Sequence, residues 1–186
     1  MEKRYETERL VLKVLGKGDA SMVLDYYERN REFLEPWEPV RTESFYDEDF
    51  HEKELGEDLR RMEKGEGLRL WIFLKGEETR VIGAVSFSNI VRGVFQSCHL
   101  GYKLDREATG RGYAREAVAR GVRVMFEELH LHRIEANIMP RNLSSRQVVE
   151  SLGFEAEGLA RKYLKINGVW EDHIHWVVLN EAEDQF

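Results

Sequence analysis

The chain has one cysteine, Cys98. This excludes an internal disulfide framework and a cysteine-built zinc cluster. Long apolar runs are missing too, since no stretch approaches the ~20 residues of a membrane helix. The opening residues, MEKRYETERL, lack the hydrophobic region of a secretory signal. A cytoplasmic protein without a membrane partner is expected. Positive charge is in deficit. A net charge of −7 disfavours nucleic acid as a direct partner and suits a basic partner or substrate. Two phosphate-binding signatures are absent. There is no G-x-x-x-x-G-K-[ST], and Arg115 stands where G-x-G-x-x-G needs its third glycine, which argues against a nucleotide P-loop and a dinucleotide fold. The six histidines are scattered. His130 and His132, like His173 and His175, alternate without further ligands nearby, so no metal is expected.

At 186 residues, 42% of them hydrophobic and 34% charged, the chain suits one globular domain over its whole length, 1–186. The stretch at 109–129, TGRGYAREAVARGVRVMFEEL, organises the rest. It reads as a glycine loop running into a helix. Ala114, Ala117, Val118, Gly121, Val122, Met125 and Phe126 recur at helical spacing and form one small or apolar face. Free N–H groups at such a helix start, with the dipole behind them, favour an anion. Arg111 and Arg115 add positive charge there, so the loop reads either as a pyrophosphate cradle or as an ordinary glycine turn.

Alternating apolar residues predict a first strand at 8–15. Asp19 is expected to cap a helix over 20–33 that buries Val23, Leu24 and Tyr27. The segment FLEPWEPVR breaks it with two prolines. A charged helix over 49–64 ends at Gly65 and Gly67. Residues 28–58 hold twelve Asp and Glu, read either as a solvated face or as an acidic wall for a cationic substrate. A meander of strands at 68–75, 81–91 and 95–104 precedes the glycine loop. Then follow a strand at 132–139, a helix over 142–151, and a hairpin of strands up to 165 and at 169–179, turning at Asn167-Gly168. The tail at 181–186 is expected to be loose. The fold class is α/β (α+β), a mixed and mostly antiparallel sheet of about seven strands flanked by about four helices. The connection from the 95–104 strand through the central helix to the 132–139 strand should make a parallel pair. That puts the glycine loop at a strand's C-terminal end, where α/β sheets bind ligands.

ETERLVL, FLEPWEPVR, FSNIVRGVFQSCHLGYKL, TGRGYAREAV, HRIEANIMPRNLSSRQVVESLGFEAEG and YLKINGVWEDHI occur in this order over almost the full length. With these segments the chain resembles the GNAT acetyltransferases, and within them the RimJ branch of ribosomal-protein-alanine N-acetyltransferases. The resemblance implies acetyl-CoA as donor and a basic protein N-terminus, from a ribosomal protein, as acceptor. Against the superfamily pattern [QR]-x-x-G-x-[GA], the chain reads Thr109, Gly110, Arg111, Gly112, Tyr113 and Ala114. Thr109 departs from the pattern, and the loop is then expected to rely on Arg111 and backbone N–H groups. The superfamily's splayed strands imply that groups near Lys103 and Leu104 hold the pantetheine arm. Asn142 and Ser145 match N-x-x-S, which makes Ser145 a candidate proton donor to the sulfur and Asn142 a helix cap that also borders the donor.

Acyl transfer to an amine needs a deprotonated nitrogen. An α-amine has a pKa near ~8 and lysine ~10.4, so freeing lysine at neutral pH costs roughly 3 kcal/mol more. The glutamate that many relatives carry on the 132–139 strand is replaced by Asn137, which can orient a water. The usual tyrosine acid is replaced by Val149. Glu135 is expected to face away from Asn137. His99, Glu35 and Glu38 are the remaining candidate bases. Trp37, Glu35, Glu38 and Asn89 are expected to form the acceptor wall, with Trp37 alternatively packing in the core. Trp170 and Asp172 are expected to pack and hydrogen-bond the last hairpin, and Cys98 to be a small buried hydrophobe. Competing functions are acetylation of a small amine, such as a polyamine or antibiotic, and a non-catalytic acyl-CoA-binding module.

Overall fold

The computed structural model describes residues 3–181, so the tail expected to be loose lies outside the described residues apart from Glu181. Eight strands form one sheet in the order β1-β2-β3-β4-β5-β6-β8-β7. They are β1 (Arg4–Glu6), β2 (Leu10–Lys13), β3 (Leu68–Leu74), β4 (Gly83–Val91), β5 (Ser97–Leu104), β6 (Arg133–Ile138), β7 (Glu155–Ile166) and β8 (Val169–Leu179). Every neighbouring pair is antiparallel except β5 and β6, which are parallel as expected. The helices are α1 (Ala20–Arg29), α2 (Arg31–Leu34), α3 (Glu48–Lys64), α4 (Tyr113–Glu127) and α5 (Leu143–Glu150).

The eighth strand and fifth helix come from two places where local pattern misled. The first predicted strand is shorter than expected and pairs with the separate β1 before it. The predicted first helix divides at Asn30. This side chain is buried, donates to the Tyr26 carbonyl at 2.8 Å and accepts from Arg106 N at 2.9 Å. An asparagine that hydrogen-bonds backbone in this way competes with the helix ladder. Here it ties α1 to the segment after β5. Val23 and Tyr27 are buried, and Tyr26 takes the place expected for Leu24, which is half-buried. Asp19 caps differently from expectation: its carboxylate accepts from Gly16 N at 2.8 Å, closing the short turn before α1.

The sheet has a core on each face. On one side α4 and α5 cover Val85, Phe87, Cys98, Leu100 and Ile134. Gly121 allows the close approach of α4, because a Cβ there would sit 2.8 Å from the Phe87 ring. Burial pushes the Cys98 thiol up to about 12, so it packs as a hydrophobe. On the other side α1 and α3 cover Val11, Trp71, Phe73 and Ala84. The acids of 28–58 are partly solvated and partly paired with arginines, among them Glu43 with Arg31 of the same region and Asp58 with Arg69 of β3. Trp170 does not pack as expected; it is 57% exposed. Asp172 does hydrogen-bond the hairpin, accepting from Lys162 N at 2.8 Å.

Candidate active site

The parallel pairing of β5 with β6 stops at Leu100–Ala136, yet β5 runs on to Leu104 and β6 to Ile138. Beyond that point β5 is still paired with β4 along its other edge. Its edge toward β6 therefore presents main-chain groups without a strand partner. A cavity of about 410 Å³ opens here. Its floor is Tyr102, Lys103 and Leu104, and one wall is the glycine loop with the first turn of α4. The opposite wall is α5 with Asn142 and Ser145, and Phe33, Leu34 and Trp37 close one end.

The glycine loop takes its shape from backbone that other residues adopt at a cost. Gly110 and Gly112 have φ of 73° and 79°, and Gly112 is the N-cap of α4. The loop is fastened from outside by Arg9, which donates to the Arg111 carbonyl at 2.9 Å and to Glu116 at 2.7 Å. The Arg9 guanidinium also lies 4.7 Å from the centre of the Tyr113 ring. Burial raises the Glu116 pKa, but Thr7 and Arg9 outweigh it and hold the carboxyl below its usual range. This clamp explains the ETERL segment, and sequence reading did not find it.

Thr109, Gly110, Gly112, Tyr113, Ala114, Lys103, Leu104, Asn142, Ser145 and Trp37 all border the cavity. The Thr109 hydroxyl donates to the Arg106 carbonyl at 2.8 Å and so closes the preceding turn. Arg111 borders a separate cavity with Glu77 and Arg80, and it is Arg115 that borders the larger one. Asn142 caps α5, its Oδ1 accepting from Ser145 N at 3.2 Å. Tyr102 was missed. Its hydroxyl donates to the Ser145 carbonyl at 2.6 Å, and burial raises its pKa above the ordinary value. A phenol from β5 thus stands in the cavity although Val149 replaces the tyrosine on α5.

The other expected residues lie on the opposite face of the sheet or beside it. Glu38 accepts from Lys103 Nζ at 2.5 Å and from Arg41 at 3.1 Å. Burial raises the Glu38 pKa, and the two cations more than reverse this, leaving it below its usual range. Burial lowers the Lys103 pKa, and Tyr27 and Glu38 reverse that in turn. Glu38 is therefore a tether for the 33–41 loop, whereas Glu35 is exposed. Arg141 stacks 4.9 Å from the Trp37 ring and donates to the Pro36 carbonyl, and Asn167 N donates to the Glu38 carbonyl. These contacts hold Trp37 at the cavity mouth.

Asn89 does not reach the cavity that Trp37 borders. The β4–β5 register slips between Ser88 and Val91, and Asn89 sits in the slip with φ of 51°. A bulge re-aims side chains, and Asn89 Nδ2 instead lies 3.2 Å from His99 Nδ1. Glu135 does not face away from Asn137. Residues two apart on a strand share a face, and the two side chains interact. Asn137 and His99 both lie outside the larger cavity, on the open face of β5 and β6. Among the described residues no group of three or more His, Cys, Asp or Glu is placed to hold a metal.

The family signature described as "Acetyltransferase (GNAT) domain" matches residues 9–155. The chain is 41% identical to the ribosomal protein uS5-alanine N-acetyltransferase of Escherichia coli, over 92% of this chain and 88% of that protein. The chain belongs to the GNAT acetyltransferase family. Two solved structures are similar to it. One is the ribosomal-protein-S5-alanine acetyltransferase of Vibrio fischeri, with a TM-score of 0.91 and 38% identity over 96% of this chain and 97% of that one. The other is Mycobacterium smegmatis RimJ in complex with CoA-disulfide, with a TM-score of 0.87 and 30% identity over 95% and 84% of the two chains. The protein is accordingly an N-acetyltransferase using acetyl-CoA. Its residues fit that donor: the left-handed glycines and α4 start offer N–H groups for phosphates, and the unpaired β5 edge offers main-chain groups for an amide-bearing arm. The donor supplies an activated acetyl thioester. No helix among the described residues is long and apolar enough to cross a membrane.

Proposed function

We propose that this GNAT enzyme acetylates the α-amine of a protein N-terminus, the N-terminal alanine of a ribosomal protein, in the cytoplasm. The observation that carries the reading is the identity of 41% to the uS5-alanine enzyme over 92% of the chain. The site supports it in two ways. The cavity beside the unpaired β5 edge has Trp37 at one end, and an extended chain terminus would approach the thioester from the open face of the sheet. That face carries carboxylate and imidazole groups close to the parting of β5 and β6, which suits an amine that arrives as a cation. Gly110, Gly112, Arg115 and the α4 start would hold the donor, and Lys103 and Leu104 its arm. Ser145 or Tyr102 would return a proton to the sulfur.

The test is thiol release from acetyl-CoA with two short peptides. One starts with alanine and carries an internal lysine; the other is the same peptide with its N-terminus blocked. Turnover on the free peptide alone is expected. Equal turnover on both would make the acceptor a lysine, and turnover only on a polyamine would make it a small amine.

A further inference from the structure

On the sheet face opposite α4, a polar cluster gathers around Glu135. Its Oε1 accepts from His175 Nδ1 at 2.8 Å and lies 3.8 Å from His99 Nε2, while its Oε2 accepts from Arg133 at 3.2 Å. An ionised carboxylate only accepts, so His175 Nδ1 carries the hydrogen and Nε2 presents its lone pair. The amide of Asn89 donates to His99 Nδ1, so the His99 Nε2 hydrogen faces Glu135. A carboxylate that holds one ring nitrogen in this way fixes the tautomer and the orientation of the ring.

The cluster adjoins the point where β5 and β6 part, on the face opposite the donor cavity. Asn137 is the first β6 residue on this face beyond the last β5–β6 pair, and its cross-strand partner is His175. Opposed residues of antiparallel strands share a face at close range. Asn137 Oδ1 is buried with no hydrogen-bond partner among the described residues, a costly state for an acceptor atom.

We propose that His175 is the base that takes the proton of the acceptor's ammonium, that Glu135 positions it, and that Asn137 Oδ1 accepts from the same amine. This rests on the proposed acetyl transfer to an amine. In the step, the ammonium gives one proton to His175 Nε2, and the freed lone pair forms the N–C bond to the acetyl carbonyl carbon. The C–S bond breaks, and the sulfur keeps its electron pair and receives a proton from the Ser145 or Tyr102 hydroxyl, which regains one as the second proton shed by nitrogen. The imidazolium then passes its proton to water. The charged and titratable groups around His175 are Glu135 and Arg133 on β6, His99 on β5, His173 on β8, and Tyr163 and Glu157 on β7. The Tyr163 ring lies 5.0 Å from the His175 ring, and Glu157 is held by Arg133 at 2.6 Å. None of these is a second acceptor on His175 Nδ1.

The experiment compares wild type, His175→Gln and Glu135→Gln, with kcat/KM measured against pH on the alanine-starting peptide and acetyl-CoA affinity by calorimetry. The expected result for His175→Gln is a fall in kcat of roughly 10²-fold, loss of the acid limb of the profile, and donor affinity within twofold of wild type. Glu135→Gln should lower kcat several-fold while the acceptor KM and donor affinity stay unchanged, because the ring is no longer held in the tautomer that presents Nε2. A His175→Gln enzyme with wild-type kcat and an unchanged acid limb would overturn the assignment. So would a Glu135→Gln profile that coincides with wild type. The proposed acceptor fails separately, if wild type acetylates a polyamine and no peptide; the same profiles on the polyamine then decide the base. If wild type binds acetyl-CoA and acetylates no amine, both proposals fall.

Discussion

Two regions meet where β5 and β6 part, and they are made of different material. The donor side is mostly main chain: the left-handed glycines, the start of α4 and the β5 edge, with small residues that leave room. The proposed acceptor side is mostly side chain, assembled from four strands and one loop through Glu38–Lys103, Asn89–His99 and Glu135–His175. A donor that is the same in every turnover can be held by backbone groups that need no titration. An arriving ammonium must lose a proton, and backbone cannot take it, so that side needs carboxylate and imidazole. The donor side should accordingly be sensitive to shape and the acceptor side to charge.

The largest effect on stability should come from the carboxylate that follows β5, the strand both sides share. Asp105 follows β5, is 3% exposed, contacts Arg29, lies 3.5 Å from Arg80 and accepts from Glu107 N. Asp105→Ala leaves both arginines short of a partner and should cost about 3 kcal/mol in urea unfolding. The same residue sets an acid limit. Burial raises its pKa, but the Glu107 amide, Asn30 and Arg29 outweigh this and leave it below the usual range. A depressed folded value means that stability is present above the unfolded pKa near ~3.9 and is lost as pH falls through the folded value. Wild type should lose stability below about pH 4, and Asp105→Ala should lose less there.

Gly112→Val tests the shape side. A β-branched residue at φ of 79° costs roughly 1–2 kcal/mol, and weaker acetyl-CoA binding of about tenfold is expected in calorimetry, with the acceptor KM unmoved. Glu38→Gln tests the charge side. It leaves the half-buried Lys103 ammonium with a weaker partner, at about 1 kcal/mol of stability, and loosens the loop that carries Trp37. The acceptor KM should rise several-fold while donor affinity stays constant; the reverse pattern would erase the division between the sides. The smallest change is Arg141→Ala, which removes the stack on Trp37. About 0.5–1 kcal/mol should appear in the acceptor KM alone.

The donor loop was legible because TGRGYAREAV is contiguous: the glycines that take left-handed φ and the helix they start lie within a few residues of each other. Its clamp was not, since Arg9 lies 102 positions from the Arg111 carbonyl it holds. Asn89 was misplaced because strand alternation fails at a bulge, and a bulge is a property of two paired strands. The direction of Glu135 was misjudged against the strand's own period, which puts it beside Asn137. Glu38 looked like a free carboxylate until Lys103 was seen beneath it.

By itself the sequence determined what local physics decides. The hydrophobic spacing set the elements, left-handed backbone called for glycine at 110 and 112, and Asn142 capped α5 through a side chain three residues from its partner amide. Even the parallel pairing of β5 with β6 follows from the helix between them. The tertiary structure alone decided which side chains share a space. His99, Glu135 and His175 come from three strands, and their meeting depends on the register of each pair and on where one pairing ends. Register is a collective outcome of the packed sheet, so a chemistry built across it has no signature in any single stretch of chain.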